Sequence, residues 1–220
     1  MAKNFYIMFG PPGSGKGTQA EILGKRLNLP TISTGVLLRK EIENKTELGK
    51  EVESIMAAGN LVSDEIVAKM IDNRLKEKDA GQGAILDGYP RTLNQQDFLL
   101  SIFKKTAEAV VTPLLVDVSD DEVIKRLGGR RACACGATYH MIYKPPKNDE
   151  ICDVCGTKLV VRPDDQPEVI KERLKVYHKN VDPVIDYWKK SGKLIIINGE
   201  PPIKEVAEEI EKRLKETSIG

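Results

Sequence analysis

Apolar residues recur along this chain in two rhythms. Asn4 to Phe9 is a nearly continuous apolar run that stops at Gly10-Pro11-Pro12-Gly13, which predicts a buried strand running into a tight loop. From Lys16 the period changes, and Ala20, Leu23 and Leu27 fall at helical spacing. The chain therefore opens with strand, glycine-rich loop and helix. Ala84-Ile85-Leu86, Leu114-Leu115-Val116 and Leu194-Ile195-Ile196-Ile197 predict further buried strands. Helical patterns lie between them. One runs from Ser63 to Lys76, and another starts at Ser119-Asp120-Asp121-Glu122, which has capping-box spacing. Asp165 to Lys190 predicts a long helix, or a pair broken at Pro183, and Pro202 to Lys215 predicts the last helix.

Strands that alternate with helices predict an α/β fold, a parallel sheet covered on both faces. Two segments break the alternation. Residues 34–62 form a helical excursion, and residues 129–165 have little period but hold Gly136, Pro145, Pro146, Gly156 and Pro163. Both are expected to be insertions over the sheet edge where ligands bind. The core is then residues 1–33, 63–128 and 166–220.

Composition narrows the function. Of 220 residues, 40% are apolar and 30% charged, which excludes a disordered chain. Lys+Arg is 34 and Asp+Glu is 33, a net charge of +1 that argues against a surface built for nucleic acid or acidic membranes. No apolar run approaches the roughly 18–20 residues needed to cross a bilayer. The opening residues lack a signal-peptide pattern, so a cytoplasmic protein with no membrane partner is expected.

The loop Gly10-Pro11-Pro12-Gly13-Ser14-Gly15-Lys16-Gly17-Thr18 fits G-x-x-x-x-G-K between a strand and a helix. Such glycines let backbone N–H groups converge on a phosphate oxygen, and the helix start adds positive potential. Gly17 stands where the strict pattern has Ser or Thr.

This loop, continued by Gln19, resembles that of the nucleoside monophosphate kinases, and of the adenylate kinases most closely. Four further motifs carry the resemblance: Ile32-Ser33-Thr34-Gly35 with Arg39, Gly59-Asn60-Leu61-Val62, Asp87-Gly88-Tyr89-Pro90-Arg91-Thr92 with Gln95, and the hinge arginines Arg126, Arg130, Arg131, Arg162 and Arg173. They run in family order along essentially the whole chain. One departure is Val36, where the family pattern leads to an Asp.

The resemblance implies a P-loop core with a five-stranded parallel sheet. It adds a monophosphate-binding arm (34–62) and a lid (129–165). It implies the reaction ATP + AMP ⇌ 2 ADP, with Mg²⁺, in a monomer. Gly13, Ser14, Gly15, Lys16, Gly17 and Thr18 would hold the donor phosphates, and Lys16, Arg130, Arg162 and Arg173 would clamp the transferring group. Arg126 would lie over the donor adenine, near Thr138, Tyr139 and the backbone of Pro201. Arg39 and Arg91 would hold the acceptor phosphate. Thr34, Asn60, Leu61, Val62, Gly88, Tyr89, Pro90 and Gln95 would surround the acceptor nucleoside. Gln95 can donate and accept, so it can read a purine edge. Asp87, at a strand end, would orient Mg²⁺ through water. Six of the ten arginines (Arg39, Arg91, Arg126, Arg130, Arg162 and Arg173) carry these roles, as suits phosphate recognition by a fixed charged fork.

The four cysteines lie within 23 residues: Cys133-Ala134-Cys135 and Cys152-Asp153-Val154-Cys155. Each pair leads into a glycine that permits a tight turn. Four thiolates would complete a closed, structural Zn²⁺ site. Free or oxidised thiols are the alternative. Zinc-bearing lids of the family usually carry C-x-x-C in the first pair, where this chain has C-x-C. His140 reads first as a surface or hydrogen-bonded histidine, and as a ligand only if one Cys points away. Three rival functions stay open: a relative with another donor or acceptor, a slowly hydrolysing nucleotide switch, and a zinc-ribbon nucleic-acid binder.

Overall fold

The computed structural model describes residues 2–106 and 108–217. Five parallel strands make the central sheet: β1 (Lys3–Phe9), β2 (Thr31–Ser33), β3 (Gly83–Asp87), β4 (Ala109–Asp117) and β7 (Ile195–Asn198), in the order β2-β3-β1-β4-β7. The register sets Ile7 beside Leu86 and Pro113, and Leu115 beside Ile196. Pro113 precedes the ladder with β7, so β4 has only one neighbour there and tolerates a missing N–H.

Eight α-helices are present among the described residues. Their ranges are α1 (Lys16–Leu27), α2 (Thr34–Glu43), α3 (Glu47–Ala57), α4 (Asp64–Leu75), α5 (Leu93–Lys105), α6 (Asp120–Gly128), α7 (Pro167–Lys190) and α8 (Ile203–Thr217). Apolar cores lie on both faces of the sheet. One gathers Phe5, Ile7, Leu86, Leu99, Val184 and Trp188, and the other Met8, Leu23, Ile85, Leu114, Val116 and Ile197. Within β1 and β3, successive side chains enter opposite cores. Among the described residues, no helix is long and apolar enough to cross a membrane.

Strand β1 is the hinge of the topology. The chain leaves it for β2 and β3 on one side, then crosses to β4 on the other. Ligands bind such sheets outside the carboxyl ends at this switch point. The loops after β1 and β3 open there, as do the start of α2 and the two excursions. The first excursion is α2 and α3. The second carries an antiparallel pair, β5 (Arg130–Ala132) and β6 (Thr138–His140).

Three expectations are sharpened. First, of the two readings of the segment ending at Lys190 the single long helix is found: α7 runs unbroken through Pro183, but begins at Pro167, after a 3₁₀ turn at Pro163–Asp165. Interior proline costs about 3 kcal/mol. Burial of Val181, Val184 and Trp188 around it contributes about 1.5–3 kcal/mol each, which outweighs that cost. Second, Ser119 is the N-cap residue of α6, but its side chain makes no capping hydrogen bond and is turned to donate to the Glu200 carboxylate at 2.8 Å. Third, β2 was not anticipated: three residues between Pro30 and a helix give almost no periodic signal, although Ile32 is buried.

Candidate active site

The loop after β1 is wrapped as a cradle. Gly10, Gly13 and Gly15 have φ of 146°, 83° and 89°. A Cβ on Gly10 would lie 2.6 Å from Ser14 Oγ and from the Val116 carbonyl, and one on Gly13 would lie 2.8 Å from Leu127. Only glycine fits these close approaches. Gly17 now has a reason of its own: a Cβ there would lie 3.2 Å from Asp87 Oδ2. The residue that departs from the strict pattern lets the carboxylate at the end of β3 meet the first turn of α1, where Thr18 is half-buried.

Lys16 Nζ donates to the Pro11 carbonyl at 3.1 Å. Burial lowers this ammonium to about 8, opposed by Asp87 and assisted by Arg91, Arg173 and Arg130. Asp87 accepts from Ser33 Oγ at 2.9 Å through Oδ2, while its Oδ1 is buried without a partner. An orphaned carboxylate oxygen beside a phosphate cradle fits a hydrated Mg²⁺, a cation that keeps several waters when bound.

Two clefts open from this point. The first, of about 580 Å³, is lined by Thr34, Arg39, Asn60, Leu61, Val62, Gly88, Arg91, Gln95, Asp164 and Arg173. The second, of about 530 Å³, is lined by Gly10, Pro12, Lys16, Leu61, Gly88, Pro90, Arg91 and Arg173. Leu61, Gly88, Arg91 and Arg173 belong to both, so the phosphate loop and the arm share one trough. Gly88 (φ 73°) allows Arg91 Nε to reach back to its carbonyl at 2.8 Å, and Thr34 Oγ1 donates to that same oxygen at 2.9 Å. One position differs from expectation: Tyr89 is in the core, with its hydroxyl donating to the Gln95 carbonyl at 3.2 Å. The Gln95 carboxamide is anchored at both ends within the protein, by Arg91 N and by Asp64, each using one of its bonding positions.

Arg130 and Arg173 stand over the trough on carboxylates from the lid hinge. Arg130 pairs with Asp165 through two nitrogens. Arg173 donates to Asp165 Oδ1 at 2.9 Å and to Asp164 Oδ2 at 2.9 Å. Arg162 has a buried Nε with no partner, and burial, then Arg130 and Arg39, pull its guanidinium below the ordinary arginine range. Burial also lowers Arg39, Arg91 and Arg173. Six cations (Lys16, Arg39, Arg91, Arg130, Arg162, Arg173) therefore face three carboxylates (Asp87, Asp164, Asp165), an excess of three positive charges.

Arg126 serves the outer end. Its guanidinium donates to the carbonyls of Ser14 (3.2 Å), Gly199 (2.9 Å) and Glu200 (3.0 Å), pairs with Glu122, and lies 5.7 Å from the Tyr143 ring centre. It ties the phosphate loop to the turn that carries Pro201. Thr138 is half-buried on β6. The Tyr139 side chain is buried, and its hydroxyl accepts from Asp153 N at 2.8 Å and meets Cys152 Sγ at 3.5 Å.

The four cysteine sulfurs lie within 4.8 Å of one another. Cys133 and Cys155 are 3.3 Å apart, and Cys135 and Cys152 are 3.6 Å apart. Sulfurs about 2.3 Å from a tetrahedral Zn²⁺ would be about 3.8 Å apart, so the set fits zinc despite its C-x-C spacing. The Tyr139 hydroxyl draws the Cys152 thiol down to about 6, toward the ligating thiolate. His140 is committed elsewhere: its Nδ1 accepts from the amides of Ile142 and Tyr143, each at 3.1 Å. Sequence reasoning missed Ser33 and Asp64, whose partners lie 54 and 31 residues away.

Comparison with known proteins agrees with this geometry. The family model described as adenylate kinase matches residues 8–193. A protein named adenylate kinase from Methanosarcina barkeri is 47% identical over 209 residues, covering 95% of this chain and 97% of the relative. Others with that name, from Caldicellulosiruptor bescii and Petrotoga mobilis, are 44% and 47% identical, covering 94% and 93% of this chain and 97% and 94% of their own. Similarity of this extent spans the sheet, the arm and the lid alike, and a shared phosphate loop would not produce it: the chain belongs to the adenylate kinase family.

Proposed function

We propose that the trough holds ATP and AMP with their phosphates facing, and that the chain carries out ATP + AMP ⇌ 2 ADP through the residues named above. The observation that carries this reading is the surplus of fixed positive charge where the two clefts meet. Two facing nucleotides bring several negative charges to one point, and a site with three uncompensated cations is preorganised for them.

An oxygen of the AMP phosphate attacks the γ-phosphorus of ATP. A P–O bond forms there as the bond to the β-phosphate oxygen breaks. Lys16 and the phosphate loop hold the donor phosphates, and Arg39 and Arg91 hold the acceptor phosphate. Arg130, Arg162 and Arg173 neutralise charge spreading over the transferred group. No general base is required, because the attacking oxygen is already ionised. Asp87 would hold a hydrated Mg²⁺ through its water shell, and the ion would supply positive charge to offset that of the donor phosphates. Zn²⁺ would sit on Cys133, Cys135, Cys152 and Cys155 as a closed structural staple for a lid whose own apolar core is small.

Residues 34–62 and 129–165 are read as the parts that close over bound nucleotides and exclude water, which would otherwise accept the phosphoryl group. The near-zero net charge supports an enzyme without nucleic-acid partners, and kinship with the adenylate kinase family is the ground for reading it as a cytoplasmic monomer. An acceptor panel with labelled ATP tests the reading. Transfer to AMP well above UMP, CMP and GMP is expected. Phosphate release without any acceptor would favour a hydrolysing switch instead.

A further inference from the structure

The Gln95 carboxamide faces the acceptor cleft from the buried first turn of α5. Its Oε1 accepts from Arg91 N at 2.8 Å, and its Nε2 donates to Asp64 Oδ1 at 2.8 Å. The other Asp64 oxygen accepts from Thr92 Oγ1 at 2.9 Å, and Thr92 Oγ1 in turn caps α5 by accepting from Gln95 N at 3.1 Å. Asp64 is the first residue of α4, immediately after Ser63, whose hydroxyl caps that helix. Both of its oxygens are thus spent on the residues that set Gln95.

This arrangement fixes which way round the amide lies. A carboxylate can only accept and a backbone N–H can only donate. Turning the amide over would set carbonyl against carboxylate and NH₂ against N–H, two mismatches in a buried place. Each anchor uses one bonding position on its atom. One N–H and one lone pair of Gln95 therefore remain for a ligand, in fixed order. A 6-aminopurine presents an acceptor at N1 beside a donor at N6 and matches that order. A 6-oxopurine presents N1–H beside O6, the reverse, and matches only the overturned amide.

We infer that Asp64 is a specificity-determining positioning residue: it holds Gln95 in the one sense that accepts a 6-aminopurine monophosphate and refuses a 6-oxopurine. The inference rests on the acceptor-site reading above. Asp64 touches no substrate and acts only through Gln95.

The test compares kcat/KM for AMP and for IMP, which differ at N1 and C6, in wild type, Asp64→Asn and Asp64→Ser. An Asn amide can offer either oxygen or nitrogen, so the overturned Gln95 then meets one mismatch, at Arg91 N, in place of two. A misread base edge costs on the order of 10- to 100-fold. The AMP-to-IMP ratio should therefore fall about ten-fold or more in Asp64→Asn, chiefly through the acceptor KM, while the KM for ATP stays within about two-fold. Isothermal titration of both monophosphates gives the same ratio for a variant with low turnover. A merely structural role would lower both acceptors together and leave the ratio unchanged, and that outcome in either folded variant overturns the inference. Wild type that fails to prefer AMP would overturn the acceptor reading itself, whereas preserved wild-type preference with an unmoved variant ratio overturns only the role of Asp64.

Discussion

Lys16→Met is expected to raise the melting temperature of the ligand-free protein while removing most of its turnover. The ammonium is enclosed by Arg91, Arg130 and Arg173, and burial brings it to about 8. Each pKa unit corresponds to about 1.4 kcal/mol, so holding this lysine charged at pH 7 costs at most about 3 kcal/mol relative to the unfolded chain. Some water still reaches the residue, and methionine leaves the Pro11 carbonyl without its donor, so the net gain is about 1–3 kcal/mol. For a chain of this size, that is roughly 2–10 °C. The pH dependence follows in sign. The folded pKa lies below the unfolded one, so between about 8 and 10.5 the unfolded wild type binds more protons and wild-type stability rises with pH. The variant's advantage should be greatest below pH 8 and vanish by about 10.5. Turnover should fall roughly 10²–10³-fold, the usual loss for a preorganised donor. Thermal melts at pH 7 and 9.5, with a coupled assay for ADP, check both halves. A variant that melts below wild type at pH 7, a gap that widens in alkali, or turnover within ten-fold of wild type would refute the reasoning.

Purified protein should carry about one zinc per chain by elemental analysis, and Cys152→Ser should lose it together with lid order, read as faster amide exchange in residues 129–165. Asp165→Asn removes the carboxylate that serves both Arg130 and Arg173, whose side chain is fully buried. Breaking such a site costs about 3–5 kcal/mol, and inorganic phosphate should restore part of the lost melting temperature by replacing the missing anion. No loss of stability, or no greater phosphate response than wild type, would count against the charge surplus.

The elements easiest to foresee were those in which local pattern and tertiary setting agree. The apolar run of β1, the glycines and the helical period of α1 all point the same way, and the positive φ values of Gly10, Gly13 and Gly15 are what that composition exists to permit. Local rules failed where a distant group decided. Pro183 reads as a breaker until Val181, Val184 and Trp188 are seen buried around it. Ser119 reads as a side-chain cap until Glu200 arrives from 81 residues away.

The same contrast explains why the arginines could be named from the sequence and their partners could not. A guanidinium that binds phosphate in one state needs another anion when the nucleotide is gone, because bare clustered cations repel. Asp164 and Asp165 supply it, from the hinge between the lid and α7. They are placed so that Arg130 and Arg173 stay poised near the trough, with no need to fold away into solvent. Together with Asp87 they leave three charges uncompensated, so binding requires no full exchange of partners. Carboxylates in greater number would hold the arginines too firmly to release them to phosphate, and fewer would leave the empty site unstable. The ratio of six cations to three anions lies between these extremes, which is why the phosphate response of Asp165→Asn measures the balance directly.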